Sequence, residues 1–223
     1  MDIVPIIRSM KTTYANYSLK GLIFIVLTSV ILSCSGDLTL VNKGLSEYHI
    51  ILPDKAQMSE LKAASLMQKY IHETSGFKLP IMREREEETE FEICLGRSGR
   101  SNIIHDEKST EISDDGYRMV TKGNKVFIYG GSPAGTLHGV TSFLEDYLGV
   151  RVYSSEVSHI PRVKKIKIPE GIDTVYNPPI KFRTTHYRDT WKPVYSNWHK
   201  LNHNKDGSHP EWGYWCHSFN TLV

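Results

Sequence analysis

Residues 126–148, VFIYGGSPAGTLHGVTSFLEDYL, constrain the fold more than any other part of the chain. Val126, Phe127, Ile128 and Tyr129 are β-branched or aromatic, side chains that suit a pleated, buried strand. Gly130 and Gly131 permit a sharp turn with close backbone approach. Ser132 is a good N-cap, and Pro133 falls where a missing N–H costs nothing. Leu137, Val140, Thr141, Leu144, Tyr147 and Leu148 then recur at helical spacing, and Gly149 supplies a left-handed C-terminal residue. The pattern specifies a strand, a tight turn and a capped amphipathic helix. The free N–H groups of such a turn could bind an anion. GGSPAG, however, lacks the Lys-Ser/Thr of a P-loop and does not match G-x-G-x-x-G, so a structural turn is the stronger expectation.

Earlier segments repeat this alternation of strand and helix. SEYHIIL (46–52) reads as a strand, broken by Pro53-Asp54, with Asp54 and Gln57 spaced like a capping box. A helix runs from there to about Thr74, with Leu61, Ala64, Met67, Tyr70 and Ile71 on one face, and Gly76 stops it. Residues 83–90 (REREEETE) read as a solvated charged loop, 91–95 as a strand, and 96–101 as a polar surface loop. Residues 117–121 and 125–129 flank Lys122-Gly123-Asn124, a short hairpin. The strands are apolar on both sides, so the sheet needs cover on both faces. Two helices are expected to lie on one face, which leaves the other as a docking surface for something absent from this chain. VKKIKI (163–168) alternates like an edge strand guarded by Lys164, Lys165 and Lys167. Pro161, Pro169, Pro178 and Pro179 mark a domain boundary.

The 223 residues allow one domain and part of another. A formal charge of +2, with basic residues dispersed, gives no argument for nucleic acid. Residues 22–32 (LIFIVLTSVIL) form an apolar run too short to span a bilayer, preceded by Lys11 and Lys20, as in a signal peptide. The run ends in Ile31-Leu32-Ser33-Cys34, which resembles a bacterial lipobox and implies cleavage before Cys34 and lipidation of its thiol. The alternative is an ordinary cleaved signal with Cys34 incidental. Cys94 lies in a strand pattern and reads as a buried free thiol.

The glycine pattern as a whole, GGSPAGTLHGVTSFLEDYLGVR with Gly131, Gly135 and Gly139 in step, resembles a segment of the domain that precedes the catalytic barrel in several glycoside hydrolases. These are the family 20 β-N-acetylhexosaminidases, the α-glucuronidases and a related bacterial surface family of unknown function. The resemblance covers about residues 46–169. It implies an α/β fold, a two-layer sandwich of a mixed β-sheet with two helices on one face, followed by an incomplete (β/α)₈-barrel start. The expected organisation is a signal peptide (1–33), a lipidated tether (34–45), the α/β domain (46–170) and a truncated barrel start (171–223).

The last 48 residues hold all four Trp and five of the ten His. Flat rings beside hydrogen-bonding groups suit sugar recognition. FRTTHYRDTW is similar to the first barrel strand and loop of the resembling families, which implies Arg183, His186, Tyr187 and Trp191 as substrate contacts; barrel core is the other reading of these aromatics. His199 and His203 have a spacing that can hold a metal on a helix, but no HExxH or third ligand accompanies them, so no metal or cofactor is expected. In the resembling enzymes the key acids come from later barrel strands, so no catalytic residue is nominated. The expected role is a non-catalytic accessory domain of an exported, envelope-anchored glycoside hydrolase-like protein, with carbohydrate and membrane as partners. Two alternatives are a surface glycan-binding lipoprotein without hydrolase activity and a truncated product without function.

Overall fold

The computed structural model describes residues 36–185 and 187–202. The signal-peptide run, Cys34, His186 and His203 lie outside the described residues. A six-stranded mixed sheet forms the centre. Four neighbouring strands are parallel: β3 (Ile81–Arg83), β2 (His49–Leu52), β4 (Glu92–Leu95) and β6 (Lys125–Gly130). On the side of β6 the sheet continues antiparallel through β5 (Tyr117–Lys122) to β10 (Asp173–Tyr176). The expected hairpin joins β5 to β6, with Gly123 at φ +58°.

Helices α1 (Met58–Ser75) and α2 (Pro133–Leu148) pack side by side on one face. Period-two alternation decides which side chains they cover. Ile50, Leu52, Ile93, Leu95, Val126 and Ile128 point to the helices and meet Met67, Ile71, Val140, Phe143 and Leu144, all buried. Each such side chain contributes about 2 kcal/mol through removal from water. The N-cap of α1 is Gln57, not Asp54. Its backbone N–H donates to Glu60 Oε2 at 2.8 Å in a capping box one turn further on than the sequence spacing suggests.

The opposite face is not the open docking surface expected. Ile51, Cys94, Val120, Phe127 and Tyr129 form a second apolar layer, closed by Ile104. The cover begins in the stretch expected to be a polar surface loop and continues to residue 110, as two 3₁₀ turns at Gly99–Ile104 and Glu107–Thr110. Short turns without an apolar stripe leave no helical period to detect, so polar bonds hold them down. Buried Arg118 on β5 donates to Asp106 Oδ2 at 2.9 Å, Asp173 Oδ1 at 2.9 Å and the Ile104 carbonyl at 3.1 Å. Nearby, fully buried Glu92 accepts from Arg100, and from Lys125 Nζ at 3.0 Å. Burial pushes the Cys94 thiol up to about 12, with the Glu92 charge adding to it, so it is an inert core group.

Two further expectations change. Residues 37–42, assigned to the tether, form strand β1 (Asp37–Asn42), which pairs antiparallel with β9 (Lys165–Pro169) and buries Leu38, Leu40 and Val41. Residues 173–176, assigned to the barrel start, form β10 of the central sheet. Both are pairings across more than fifty residues of chain, which no local pattern announces. A small hairpin of β7 (Arg151–Val152) and β8 (Ser158–His159) follows α2.

Candidate functional site

Residues 113–116 lie between the glycine-bearing helix and the segment after β10, and they form a densely bonded junction. On one side stand the three glycines. A Cβ on Gly131 would come within 2.2 Å of the Ser113 carbonyl oxygen, and one on Gly135 within 2.1 Å of the Gly116 oxygen. A Cβ on Gly139 would meet Ile128 Cγ2 at 2.6 Å and the Tyr117 ring at 3.1 Å. The four-residue glycine spacing thus leaves bare backbone at the turn before α2 and along one stripe of its first turns, so that the loop and β5 can press against it. Gly131 N donates to Gly116 O at 3.2 Å and Ser132 N to Asp114 O at 3.0 Å. Two of the turn's N–H groups are thus taken by the protein's own carbonyls, and Gly130 N donates to Thr136 Oγ1 at 3.0 Å.

On its other side the loop holds the tail. Asp115 Oδ2 accepts from Arg183 Nη2 at 2.6 Å and from Asn202 Nδ2 at 2.8 Å. Arg183 and Asn202 also bind each other: Arg183 N donates to Asn202 Oδ1 at 2.9 Å, and Asn202 N to Arg183 O at 3.1 Å. Arg183 Nε reaches Lys200 O at 2.7 Å and Nη1 reaches Ile180 O at 2.8 Å. Burial pushes the Asp115 carboxyl up, but the bonds from Arg183 and Asn202 outweigh it and hold the group below the usual carboxylate range. Behind the loop, buried His138 of α2 places Nδ1 3.1 Å from Asp115 O, and burial keeps its imidazole below the ordinary histidine range.

Two more contacts fasten the tail. A short helix α3 (Pro193–Trp198) sets Trp198 edge-on against Tyr70 of α1, with ring centroids 5.4 Å apart. Trp198 is 3% exposed, and its indole N–H has no hydrogen-bond partner among the described residues. The hairpin β7–β8 meets the 3₁₀ turn Arg188–Trp191, where Ser155 N and Oγ both donate to the Asp189 carboxylate, the former at 2.6 Å. These bonds hold the Asp189 carboxyl below its ordinary value.

The residues expected to touch sugar are therefore divided. Arg183 is 14% exposed in its side chain and committed to the junction, not presented to solvent. Tyr187 is 63% exposed and Trp191 42% exposed, in the same turn whose Asp189 is tied to the hairpin. His199 puts Nε2 3.0 Å from the Val152 carbonyl. Among the described residues no group of three His, Cys, Asp or Glu could hold a metal. Asp115, Asn202 and His138 escaped the sequence reading. Trp198, one of the four tail tryptophans offered for sugar recognition, is instead buried in the helix layer.

Residues 1–146 match the family described as Glycosyl hydrolase family 20, domain 2, and residues 152–223 match a domain of unknown function, DUF4838. No curated protein matches the chain in sequence. Among solved structures it is similar to a Streptomyces plicatus N-acetyl-beta-hexosaminidase in complex with Thio-NAglucal, at 14% identity and TM-score 0.44, covering 67% of this chain and 25% of that one. It is also similar to a Vibrio harveyi family GH20 exo beta-N-acetylglucosaminidase in complex with N-acetylglucosamine, at 12% identity and TM-score 0.44, covering 75% and 22%. A family GH115 4-O-methyl-alpha-glucuronidase matches at 11% identity and TM-score 0.44, over 66% and 19%. The chain spans about a quarter of the length of the hexosaminidase structures. With the family match extending over well more than half of its residues, this chain belongs to glycosyl hydrolase family 20, domain 2.

Proposed function

We propose that this chain is the non-catalytic N-terminal accessory domain of an exported, lipid-anchored glycoside hydrolase-like protein of carbohydrate catabolism. Its job is to brace the segment that comes after it. The observation that carries this reading is the three-point attachment of residues 178–202: Asp115 to Arg183 and Asn202, Ser155 to Asp189, and Trp198 in the helix layer. A folded platform that grips the first residues of its neighbour offsets the ordering entropy of that neighbour's start. The glycines serve the same end, since they let the gripping loop sit against α2. Cys34 is the lipid-bearing residue in this reading, and the anchor sits at the cell envelope.

The test compares two proteins on p-nitrophenyl glycosides: this chain, and the same chain extended by whatever residues its gene encodes downstream. Turnover by the extended protein alone, lost on Asp115→Ala with Arg183→Ala, is the expected outcome. Turnover by the 223-residue chain itself would sink the non-catalytic assignment.

A second reading, a surface glycan-binding lipoprotein, is favoured by the exposed rings of Tyr187 and Trp191. It requires retention on a glycan column that Trp191→Ala abolishes while the melting temperature holds.

A further inference from the structure

We propose that the ribbon of β1 and β9, with the turn at residues 42–45, is a membrane-facing surface that lies on anionic lipid headgroups. The proposal rests on the reading of Cys34 as the lipid-bearing residue, and it concerns a different part of the chain from the tail junction.

The chain length outside the ribbon sets the first condition. β1 begins at Asp37, three residues after Cys34, a reach of at most about 11 Å even when fully extended. A lipid on Cys34 therefore holds one end of the ribbon within about a Debye length of the bilayer. The ribbon itself is about 20 Å long at the rise of an extended strand.

Charge sets the second. The inner side of the ribbon is apolar and buried: Leu38, Leu40, Val41, Ile166 and Ile168. Its outer side and ends carry Lys43, Arg162, Lys164, Lys165 and Lys167, all exposed. Lys43, Lys164 and Lys165 belong to one surface, since Lys43 N donates to Lys164 O at 2.6 Å and Asn42 pairs with Lys165. Asp37, Glu47 and Glu170 are the acids nearby, and Asp37 is already paired with Lys167 at 2.9 Å. Cations thus predominate on a face tethered to a bilayer, which is the complement of an anionic headgroup layer.

The third condition is an apolar tip. Leu45 is 72% exposed, the most exposed large hydrophobic side chain among the described residues, and Val163 is 41% exposed. Leu45 is held rigidly, since Asn42 and Leu45 exchange both backbone hydrogen bonds across a turn with Lys43 at φ 52° and Gly44 at φ 75°. A non-glycine residue in the left-handed region costs free energy, so the turn is kept in a particular shape. Leu45 follows Lys43 at the turn, with Glu47 on its other side, and Val163 stands between Arg162 and Lys164. Exposed apolar side chains beside cations are the pattern that enters the headgroup boundary. Protection of a strand edge explains lysines on β9, but not an exposed Leu beside them.

The probe is vesicle co-sedimentation of the chain carrying Cys34→Ser, which has no acyl group. Vesicles are phosphatidylcholine alone, or phosphatidylcholine with one quarter phosphatidylglycerol. The expected result is at least about tenfold stronger partition onto the anionic vesicles, weakened by salt. Lys43→Gln/Lys164→Gln/Lys165→Gln removes it, and Leu45→Ser reduces it, with thermal melts unchanged. Equal partition onto both vesicles overturns the proposal, as does indifference to the lysine changes or equally tight retention on a heparin column. Mass analysis of the cellular protein reports acylation of Cys34 separately. Lipidation without vesicle preference defeats this surface alone, and vesicle preference without lipidation defeats the anchor alone.

Discussion

Asp115 Oδ2 lies 2.6 Å from Arg183 Nη2 across 68 residues of sequence, and the same oxygen takes a second bond from Asn202. One carboxylate oxygen thus joins a loop packed on the glycine helix to two residues of the tail that are 19 apart in sequence. Because the pair is partly solvated, its net contribution is modest, about 1 kcal/mol. Its value lies in geometry: Arg183 is forked over three backbone carbonyls as well, so the ion pair fixes the path of the chain.

The pH dependence arises from two groups. The folded-state values of both Asp115 and His138 are depressed, so each contributes stability that is present above its unfolded value and lost as pH falls. The loss begins below about pH 6.5, where an unfolded histidine takes up a proton, and deepens below about pH 4 through Asp115. Carboxyl-carbon NMR is expected to give Asp115 a midpoint below that of an ordinary aspartate. In Arg183→Met the midpoint rises, since burial then acts with less opposition. An unchanged midpoint in that variant would show the ion pair to be absent in solution.

The glycines differ in what a methyl group would strike. Gly135→Ala drives Cβ into backbone carbonyls of residues 114 and 116, which cannot move without shifting the loop. It is expected to cost about 3 kcal/mol despite the better helix propensity of alanine. Gly139→Ala meets the side chains of Ile128 and Tyr117, which can yield, and costs about 1 kcal/mol. Urea melts of the two variants check the order.

Trp198 buries its ring against Tyr70 while leaving its N–H unpaired among the described residues. Trp198→Phe keeps most of the apolar contact and removes an unsatisfied donor, so a change of no more than about 1 kcal/mol is expected. Trp198→Ala opens a cavity worth about 3 kcal/mol. Hydrogen exchange of residues 193–202 should accelerate in the alanine variant and not in the phenylalanine one.

Glu92 is fully buried between Arg100 and Lys125. Glu92→Gln leaves the two cations without their shared counter-charge and is expected to destabilise by about 3 kcal/mol. Thermal melting with Arg100→Met and the double variant forms the cycle that separates the pair's coupling from its desolvation.

Much of this fold is legible locally. The run VFIYGGSPAG, the caps Ser132 and Gly149, and the 3.6-residue period of α2 specify strand, turn and helix before any tertiary contact exists. The same holds for α1 and for the hairpin at Gly123, because φ/ψ preference and side-chain period act over a few residues. The lipobox-like ILSC and the three-glycine register are likewise properties of sequence alone. The tertiary structure decided the features that depend on distant partners. Residues 37–42 become a strand only because residues 165–169 stand opposite them, and a polar run at 99–110 becomes the lid of a sheet only because Arg118 receives it. Arg183 looks like a sugar contact in its own aromatic neighbourhood, yet a carboxylate 68 residues earlier claims its guanidinium. Periodicity reports how a segment buries itself against something; it does not say which part of the chain that something is.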